Sequence, residues 1–350
     1  MKKTDVLIIG AGQAGLSMAY HLKQNSMRFH IVDGSDRVGD SWRKRYDSLT
    51  LFTPRSLSAL PGLPLIGDPN SYASREEFAD YLQRYAAHFQ FPIELNTRIM
   101  RLERVNSHFC ATRFGGREIE AKVVVMAIGS YQKPVIPSIS GDFSNEVCQF
   151  SAANYRNPSQ IPAGNVVVVG DGATGRDIAS ELAETHLVYL ATGKARRLMP
   201  ERILGVSMWK WLEILGLLTA PVESFFGRKM REMDSFPNRD RDFAALRRNG
   251  IQIMPKLTGA SGKTVTFQNG MTTSVMSVVW AVGYKDDSDW VHIPEVKDAQ
   301  GNFTHQKGIA PIRNLYFIGR PWQITTGSAR IYGVGQDAAW IAKEIRRNLS

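Results

Sequence analysis

Two stretches of this chain share one arrangement, in which a short apolar run ends in Gly-x-Gly-x-x-Gly and opens into a helical stripe. In the first, Val6 to Ile9 leads into Gly10-Ala-Gly12-Gln-Ala-Gly15, followed by Leu16, Ala19, Tyr20 and Leu22. In the second, Val166 to Val169 leads into Gly170-Asp-Gly172-Ala-Thr-Gly175, with Ile178, Leu182 and Ala183 on one helical face. Such a sequence specifies a buried strand, a tight turn and a helix start. The first glycine permits the turn, the second leaves the backbone open to a pyrophosphate, and the third lets helix and strand pack closely. The helix start offers free N–H groups and a positive dipole end to the phosphates. Phe29 to Val32 reads as the next strand, and it ends at Asp33, about 20 residues on, where an acid would hold ribose hydroxyls. Two such units predict an α/β chain with two Rossmann-like domains and two bound dinucleotides.

The second unit continues differently. Its next strand, Leu187 to Leu190, runs into Ala191-Thr-Gly193-Lys194-Ala-Arg196-Arg197 with no acid. Lys194, Arg196 and Arg197 would pair with a ribose 2′-phosphate, or else form a solvated basic turn.

At 350 residues the chain is long for one core, and 43% hydrophobic with 22% charged residues is ordinary for a soluble protein. The net charge of +10 is spread, with no Lys/Arg block, so no nucleic-acid partner is expected. Cys110 and Cys148 form no Cys-x-x-Cys, and the seven histidines show no metal-ligand spacing, so neither a dithiol centre nor a metal is expected. No apolar run approaches the ~18 residues of a membrane span, and the sparse cysteines fit a cytoplasmic setting.

Along the chain, Gly39-Asp-Ser-Trp42-Arg43 forms a turn-rich loop after Asp33, with Trp42 either lining a cofactor or packing beneath the loop. Leu49 to Phe52 reads as a short strand, and Pro54 to Pro69 as an irregular loop. Ser74-Arg-Glu-Glu77 is a capping box before an aromatic helix face of Phe78, Tyr81, Leu82, Tyr85 and Phe89. Ile93 to Leu95 is a further strand. A β-meander is predicted over 98–105, 109–114 and 117–122, followed by a separate buried strand, Lys122 to Met126, ending in Ala127-Ile-Gly129. Pro134 to Pro162 reads as a linker. A partly helical insertion near 200–248, rich in Trp and Leu, would cap a pocket, form a dimer face or touch a membrane surface, with plain packing as the default. Strands are predicted at 251–254, 264–267 and 275–279, the last running into Trp280-Ala281-Val-Gly283, which echoes Ala127-Ile-Gly129. Asn314 to Gly319 is a last strand, and Gly327-Ser328-Ala-Arg330 opens the final helix. That helix start would face the electron-rich edge of a reduced flavin, with Arg330 in its first turn. The division predicted is 1–157 with 280–350, and 158–279 as the inserted unit.

Four stretches carry a family resemblance: Gly10 to Gly15; Gly39 to Arg43 with Leu49 to Pro54; Gly170 to Gly175; and Leu315 to Gly319 through Trp322-Gln323, Gly327-Ser-Ala and Gly333-Val-Gly335. On these residues the chain resembles the compact bacterial flavin-containing monooxygenases and CzcO-like flavoproteins. The resemblance implies FAD on the first turn, against Gly10, Gly12, Gln13, Ala14, Gly15, Asp33, Gly34, Ser41, Trp42, Thr53, Ile99, Ala127, Gly129, Gly319 and Ser328. It implies NADPH or NADH on the second, against Gly170, Gly172, Ala173, Thr174, Gly175, Gly193, Lys194, Arg196 and Gly283. Hydride would pass from nicotinamide to FAD, and reduced FAD with O2 would form a C4a-hydroperoxide that oxygenates a thioether, amine or carbonyl. Gln323 and Arg330 are the candidate catalytic residues, and a homodimer is a further expectation. The family fingerprint, Phe-x-Gly-x-x-x-His-x-x-x-Phe/Tyr, would fall at 145–155, where only Tyr155 matches. That departure, with Gly193-Lys194 in place of the usual Arg-Thr, implies use of both NADH and NADPH. The eroded fingerprint also opens the alternative of a flavin reductase or oxidase without oxygen insertion, and the Trp- and Leu-rich insertion that of a non-catalytic nucleotide sensor or interaction protein.

Overall fold

The computed structural model describes residues 2–233 and 235–349. Its first sheet begins with β1 (Lys2–Ile9), α1 (Gln13–Gln24) and β2 (Phe29–Val32). Then come α2 (Asp40–Arg43), α3 (Arg75–His88), β3 (Ile93–Glu94), β4 (Ile99–Val105), β5 (His108–Arg113) and β6 (Glu118–Met126). The strand order is β3-β2-β1-β6-β5-β4. β1 pairs in parallel with β2 and β6, while β4, β5 and β6 form an antiparallel meander. Successive side chains of β1 serve opposite faces, as a doubly covered strand requires. Val6 and Ile8 pack under α1 and α3, whereas Leu7 and Ile9 pack against the meander. The aromatic face of α3 is buried as expected, and its capping box is complete: Glu77 N–H donates to Ser74 Oγ and Ser74 N–H to Glu77 Oε2.

The chain then passes through β7 (Lys133–Pro134) to β8 (Cys148–Ser151), β9 (Val166–Val169), α4 (Ala173–Leu182) and β10 (Val188–Ala191). The insertion holds a hairpin, β11 (Arg202–Ile203) with β12 (Val206–Ser207), and helices α5 (Met208–Ile214), α6 (Phe225–Met233) and α7 (Phe243–Arg248). Next are β13 (Gln252–Met254), an antiparallel trio β14 (Leu257–Ser261), β15 (Thr264–Phe267) and β16 (Thr272–Ser274), and β17 (Ser277–Trp280). The second sheet is wholly parallel, in the order β13-β10-β9-β17-β8. α4 and α7 cover one face and the trio the other. The chain returns through β18 (Tyr284–Lys285), which pairs antiparallel with β7, so the two crossings run side by side. β19 (Leu315–Phe317) then joins the C-terminal half of β6, and α8 (Ile331–Leu349) packs against α1.

Four expectations change. The meander's last strand and the run at 122–126 are one strand, β6, because its first half pairs with β5 and its second with β19. The segment 49–52 is no strand. Leu51 N–H donates to Ala73 and Arg75 N–H to Leu49, which ties it to the entrance of α3 instead of a sheet. The stretch 134–162 is not all linker, since β8 is the edge strand beside β17; the chain has therefore crossed between sheets before residue 148, not at 157. α8 begins at Ile331, which puts Arg330 just ahead of its first turn. No described helix is long and apolar enough to cross a membrane.

Candidate functional site

The two glycine turns are built alike. Gly10 N–H donates to Val32 and Gly170 N–H to Ala191, which seats each turn beside the neighbouring strand. Both glycines adopt positive φ, +108° and +105°, and a Cβ on either would come within 2.5 Å of a carbonyl oxygen, of Ala127 or Ala281 respectively. A Cβ on Gly15 or Gly175 would overlap the carbonyl of Gly10 or Gly170. The echoed Ala-x-Gly segments are thus the walls on which the turns close: Ala127 N–H donates to Ile9, and Ala281 N–H to Val169.

A cavity of about 580 Å³ runs from the first turn to the second. At one end lie Gly10, Gly12, Gln13, Asp33, Gly34 and Ile99, and further along Ala127, Gly129 and Gly319. Beyond these come Arg45, Tyr46, Leu51, Phe52, Thr53, Tyr131 and Tyr284, and then Thr174 of the second turn. Met199, Trp209, Phe236 and Pro237 of the insertion also line it, as do Ala329 and Arg330. Such a place, outside the carboxyl ends of parallel strands, is where open α/β sheets bind ligands.

The first turn fits a dinucleotide pyrophosphate. Nothing lies within 4 Å of where a Gly12 Cβ would stand, so the backbone is open to the cavity. Asp33 holds the turn as well as facing the cavity: its Oδ2 accepts from Ala11 N–H at 2.6 Å and its Oδ1 from Ser35 N–H at 2.8 Å. Each carboxylate oxygen keeps acceptor capacity for a ribose hydroxyl. Trp42 packs on its neighbours and also faces the cavity. Its ring lies edge-on to Phe78 at 4.9 Å, its Nε1–H donates to Gln13 Oε1 at 3.1 Å, and it lines the cavity. Ser41 and Ala14 also line it, as does Thr53, whose hydroxyl shares a hydrogen bond with Ser58.

The second turn carries an acid inside it. Asp171 Oδ1 accepts from Gly193 N–H at 3.1 Å, and its Oδ2 faces Arg176 at 3.3 Å. Both side chains are only 3% exposed, and the Arg176 guanidinium also stacks 4.3 Å from the Phe243 ring. The Arg196 guanidinium comes within 3.2 Å of where a Gly172 Cβ would be, over the phosphate approach. Gly170, Gly172, Ala173 and Gly175 form the turn behind Thr174. Gly193 and Lys194 lie on the exposed strand exit, and Gly283 sits at the crossing, where its carbonyl accepts from Val135 N–H.

Eleven expected residues stand outside the cavity wall: Gly15, Gly170, Gly172, Ala173, Gly175, Gly193, Lys194, Arg196, Gly283, Gln323 and Ser328, so the second turn reaches it only through Thr174. Gln323 is 2% exposed and spends its amide on the backbone, donating to Phe317 O at 3.0 Å and accepting from Arg320 N–H at 3.3 Å. Ser328 Oγ accepts from Ile324 and Thr325 N–H, closing the turn before α8. Neither lines the cavity.

Arg45 is the main residue that the motifs do not flag. Its guanidinium lies 5.0 Å from the Tyr131 ring and 5.5 Å from the Tyr284 ring, and it donates to Tyr284 Oη at 2.9 Å. Tyr131 comes from the first crossing and Tyr284 from the second, so the three residues clasp the crossings beside the cavity. Only the bare string Arg43-Lys-Arg45-Tyr46 hints at this in the sequence. Neighbouring Tyr46 is buried and donates to Asp177 at 2.9 Å; burial and that carboxylate push its pKa far up, so it stays a neutral donor.

Two dinucleotide-type turns, the first opening on the cavity and the second reaching it through Thr174, give the architecture of an oxidoreductase that uses two dinucleotides. The chain belongs to the pyridine nucleotide-disulphide oxidoreductase family, which residues 7–209 match. It is 43% identical to an oxidoreductase called CzcO-like from Geobacillus kaustophilus, over 97% of this chain and 98% of that one. It is 27% identical to the probable indole-3-pyruvate monooxygenase YUCCA9 of Arabidopsis thaliana, over 97% and 88%. Its fold matches a flavin-containing monooxygenase from Stenotrophomonas maltophilia with a TM-score of 0.85 at 21% identity, across all of both chains.

Proposed function

We propose that this oxidoreductase is an FAD-dependent monooxygenase that draws hydride from NADPH, and less readily NADH, and passes one oxygen atom of O2 to a small soft nucleophile or carbonyl compound. The observation that supports the reading is the cavity that opens on the first turn and reaches Thr174 of the second, where two bound dinucleotides would meet. FAD, when bound, supplies the hydride acceptance and oxygen chemistry that no side chain has. The chain supplies position and dryness. The amides of α1 and the open Gly12 backbone hold the FAD pyrophosphate, Asp33 its ribose, and Trp42 and Ile99 flank it. The amides of α4 hold the second pyrophosphate, and Arg196 its 2′-phosphate. Arg45, clasped between the crossings, places a cation where the nicotinamide dinucleotide passes towards the flavin. The insertion's Met199, Trp209, Phe236 and Pro237 exclude water from the reacting end.

The relatives' names support oxygen insertion: YUCCA9 is a probable monooxygenase, and the match of highest TM-score quoted above is a flavin-containing monooxygenase. Neither Cys110 nor Cys148 lines the cavity, which leaves no thiol relay of the kind a disulphide reductase uses. The reading keeps the cytoplasmic setting expected from the cysteines. It also keeps a homodimer, whose face would use exposed Leu204, Ile214 and Leu215 of the insertion. Incubation with NADPH, a thioether and isotopically labelled O2 tests the activity. The expected product is sulfoxide carrying one labelled oxygen; release of all reducing equivalents as peroxide, with no labelled sulfoxide, would convert the reading to an oxidase.

A further inference from the structure

The cavity wall carries a cation that pairs with no acid among the described residues. Arg330 lines it just ahead of α8. Its Nη1 donates to Tyr332 Oη at 3.0 Å, and its guanidinium lies 5.7 Å from the Trp322 ring. These contacts hold the group in place but bring no negative charge. Among the described residues no carboxylate forms an ion pair with it. The nearest acid along α8, Asp337, is buried and feels Ser328 rather than Arg330.

The other cavity cations have separate work. Arg98 lies against Gly34 at the ribose end, and Arg45 is clasped by Tyr131 and Tyr284 between the crossings. Arg196, outside the cavity wall, comes within 3.2 Å of where a Gly172 Cβ would stand. Phosphates of two bound dinucleotides would therefore have partners without Arg330. What surrounds Arg330 is apolar and aromatic. Tyr332 packs edge-on against Trp209 at 6.1 Å, and Trp209 shares the cavity with Met199, Phe236, Leu51 and Phe52. A guanidinium at the rim of an aromatic chamber is the complement of an amphipathic anion. Its planar donor fork suits a carboxylate, and pairing there removes the cost of a half-buried lone charge.

We propose that Arg330 is the carboxylate-binding residue of the substrate site, and hence that the substrate is an aromatic or branched apolar acid bearing the group to be oxygenated. This rests on the monooxygenase reading for the fate of the bound molecule, but not for its binding.

The test compares (phenylthio)acetate with the neutral thioether thioanisole on the FAD-loaded oxidised protein, with dissociation constants read from flavin absorbance and no turnover. The wild type is expected to bind the acid more tightly. Arg330→Met should weaken the acid ~10–100-fold, the worth of one charge-assisted pair, and leave thioanisole within about twofold. Arg330→Lys should fall between. The flavin midpoint potential should be unmoved in both variants. Equal loss of both ligands, or no preference for the acid in the wild type, would overturn the proposal. So would a lowered potential in Arg330→Met with the preference intact, since the guanidinium would then serve the flavin. Discrimination in binding without sulfoxidation of either probe would sink the monooxygenase reading while upholding the carboxylate site.

Discussion

The two glycine turns have the same backbone but hold their acids in opposite ways. In the first, the acid stands at the end of the neighbouring strand and reaches back: Asp33 accepts from Ala11 inside the turn. In the second, the acid stands inside the turn and reaches forward: Asp171 accepts from Gly193 beyond the neighbouring strand. Each arrangement ties turn to strand end with one charge-assisted hydrogen bond. The difference lies in what is left facing the ribose. At the first turn a carboxylate remains there, suited to hydroxyls and hostile to a phosphate. At the second, Asp171 is engaged by Arg176 and Gly193, and Arg196 comes within 3.2 Å of where a Gly172 Cβ would stand. On the proposed reading, one backbone solution would serve FAD in one place and a 2′-phosphorylated nicotinamide dinucleotide in the other.

The largest effect should come from Gly15→Ala. Its Cβ would overlap the backbone carbonyl of Gly10, which cannot swing aside as a side chain can, so α1 must move off the strand at a cost of about 3 kcal/mol. The expected outcome is protein purified colourless, with a lowered melting temperature; a yellow, fully loaded variant would show that the first turn does not hold FAD. Arg196→Met should come next. Losing one charge-assisted pair raises the NADPH dissociation constant ~10–100-fold and leaves NADH little changed. An equal rise for both would reduce Arg196 to a general phosphate contact.

A further acid lacks such a tie. Asp337 on α8 is 1% exposed and has no charged partner, so burial pushes its pKa up to about 7, with the Ser328 hydroxyl pulling the other way. In the unfolded chain it ionises near 4. Between about pH 4 and pH 7 the unfolded state releases a proton that the folded state keeps, so stability falls as pH rises and levels off above pH 7. Asp337→Asn should therefore raise the melting temperature at pH 8 by several degrees and change it much less at pH 4. The effect is at most ~4 kcal/mol. Equal shifts at both pH values would mean that the carboxyl is not carried neutral into the fold.

The glycine turns, their helices, Asp33 and the Ala-x-Gly echoes are legible in the sequence because each follows from a local demand of space or backbone angle. The clasp of Arg45, Tyr131 and Tyr284 is not, since its members lie far apart and meet only because β7 and β18 run side by side. The insertion's cavity wall is hidden in the same way: Met199, Trp209 and Phe236 read as ordinary apolar residues until the fold sets them around the cavity that Arg330 also lines. Gln323 misled for the converse reason. It sits beside the right turn in sequence, but the backbone of Phe317 and Arg320 consumes its amide. The edge strand β8 was masked by flanking prolines, and it shows its pattern only against β17.

The division of labour between the turns is tested most directly by anaerobic titration of FAD-loaded wild type and Gly175→Ala with NADPH, followed by flavin absorbance. The account predicts that one equivalent bleaches the wild type promptly, while Gly175→Ala retains FAD and stays yellow under the same conditions. Bleaching of Gly175→Ala at the wild-type rate would mean that hydride reaches the flavin without the second turn, and would contradict the assignment.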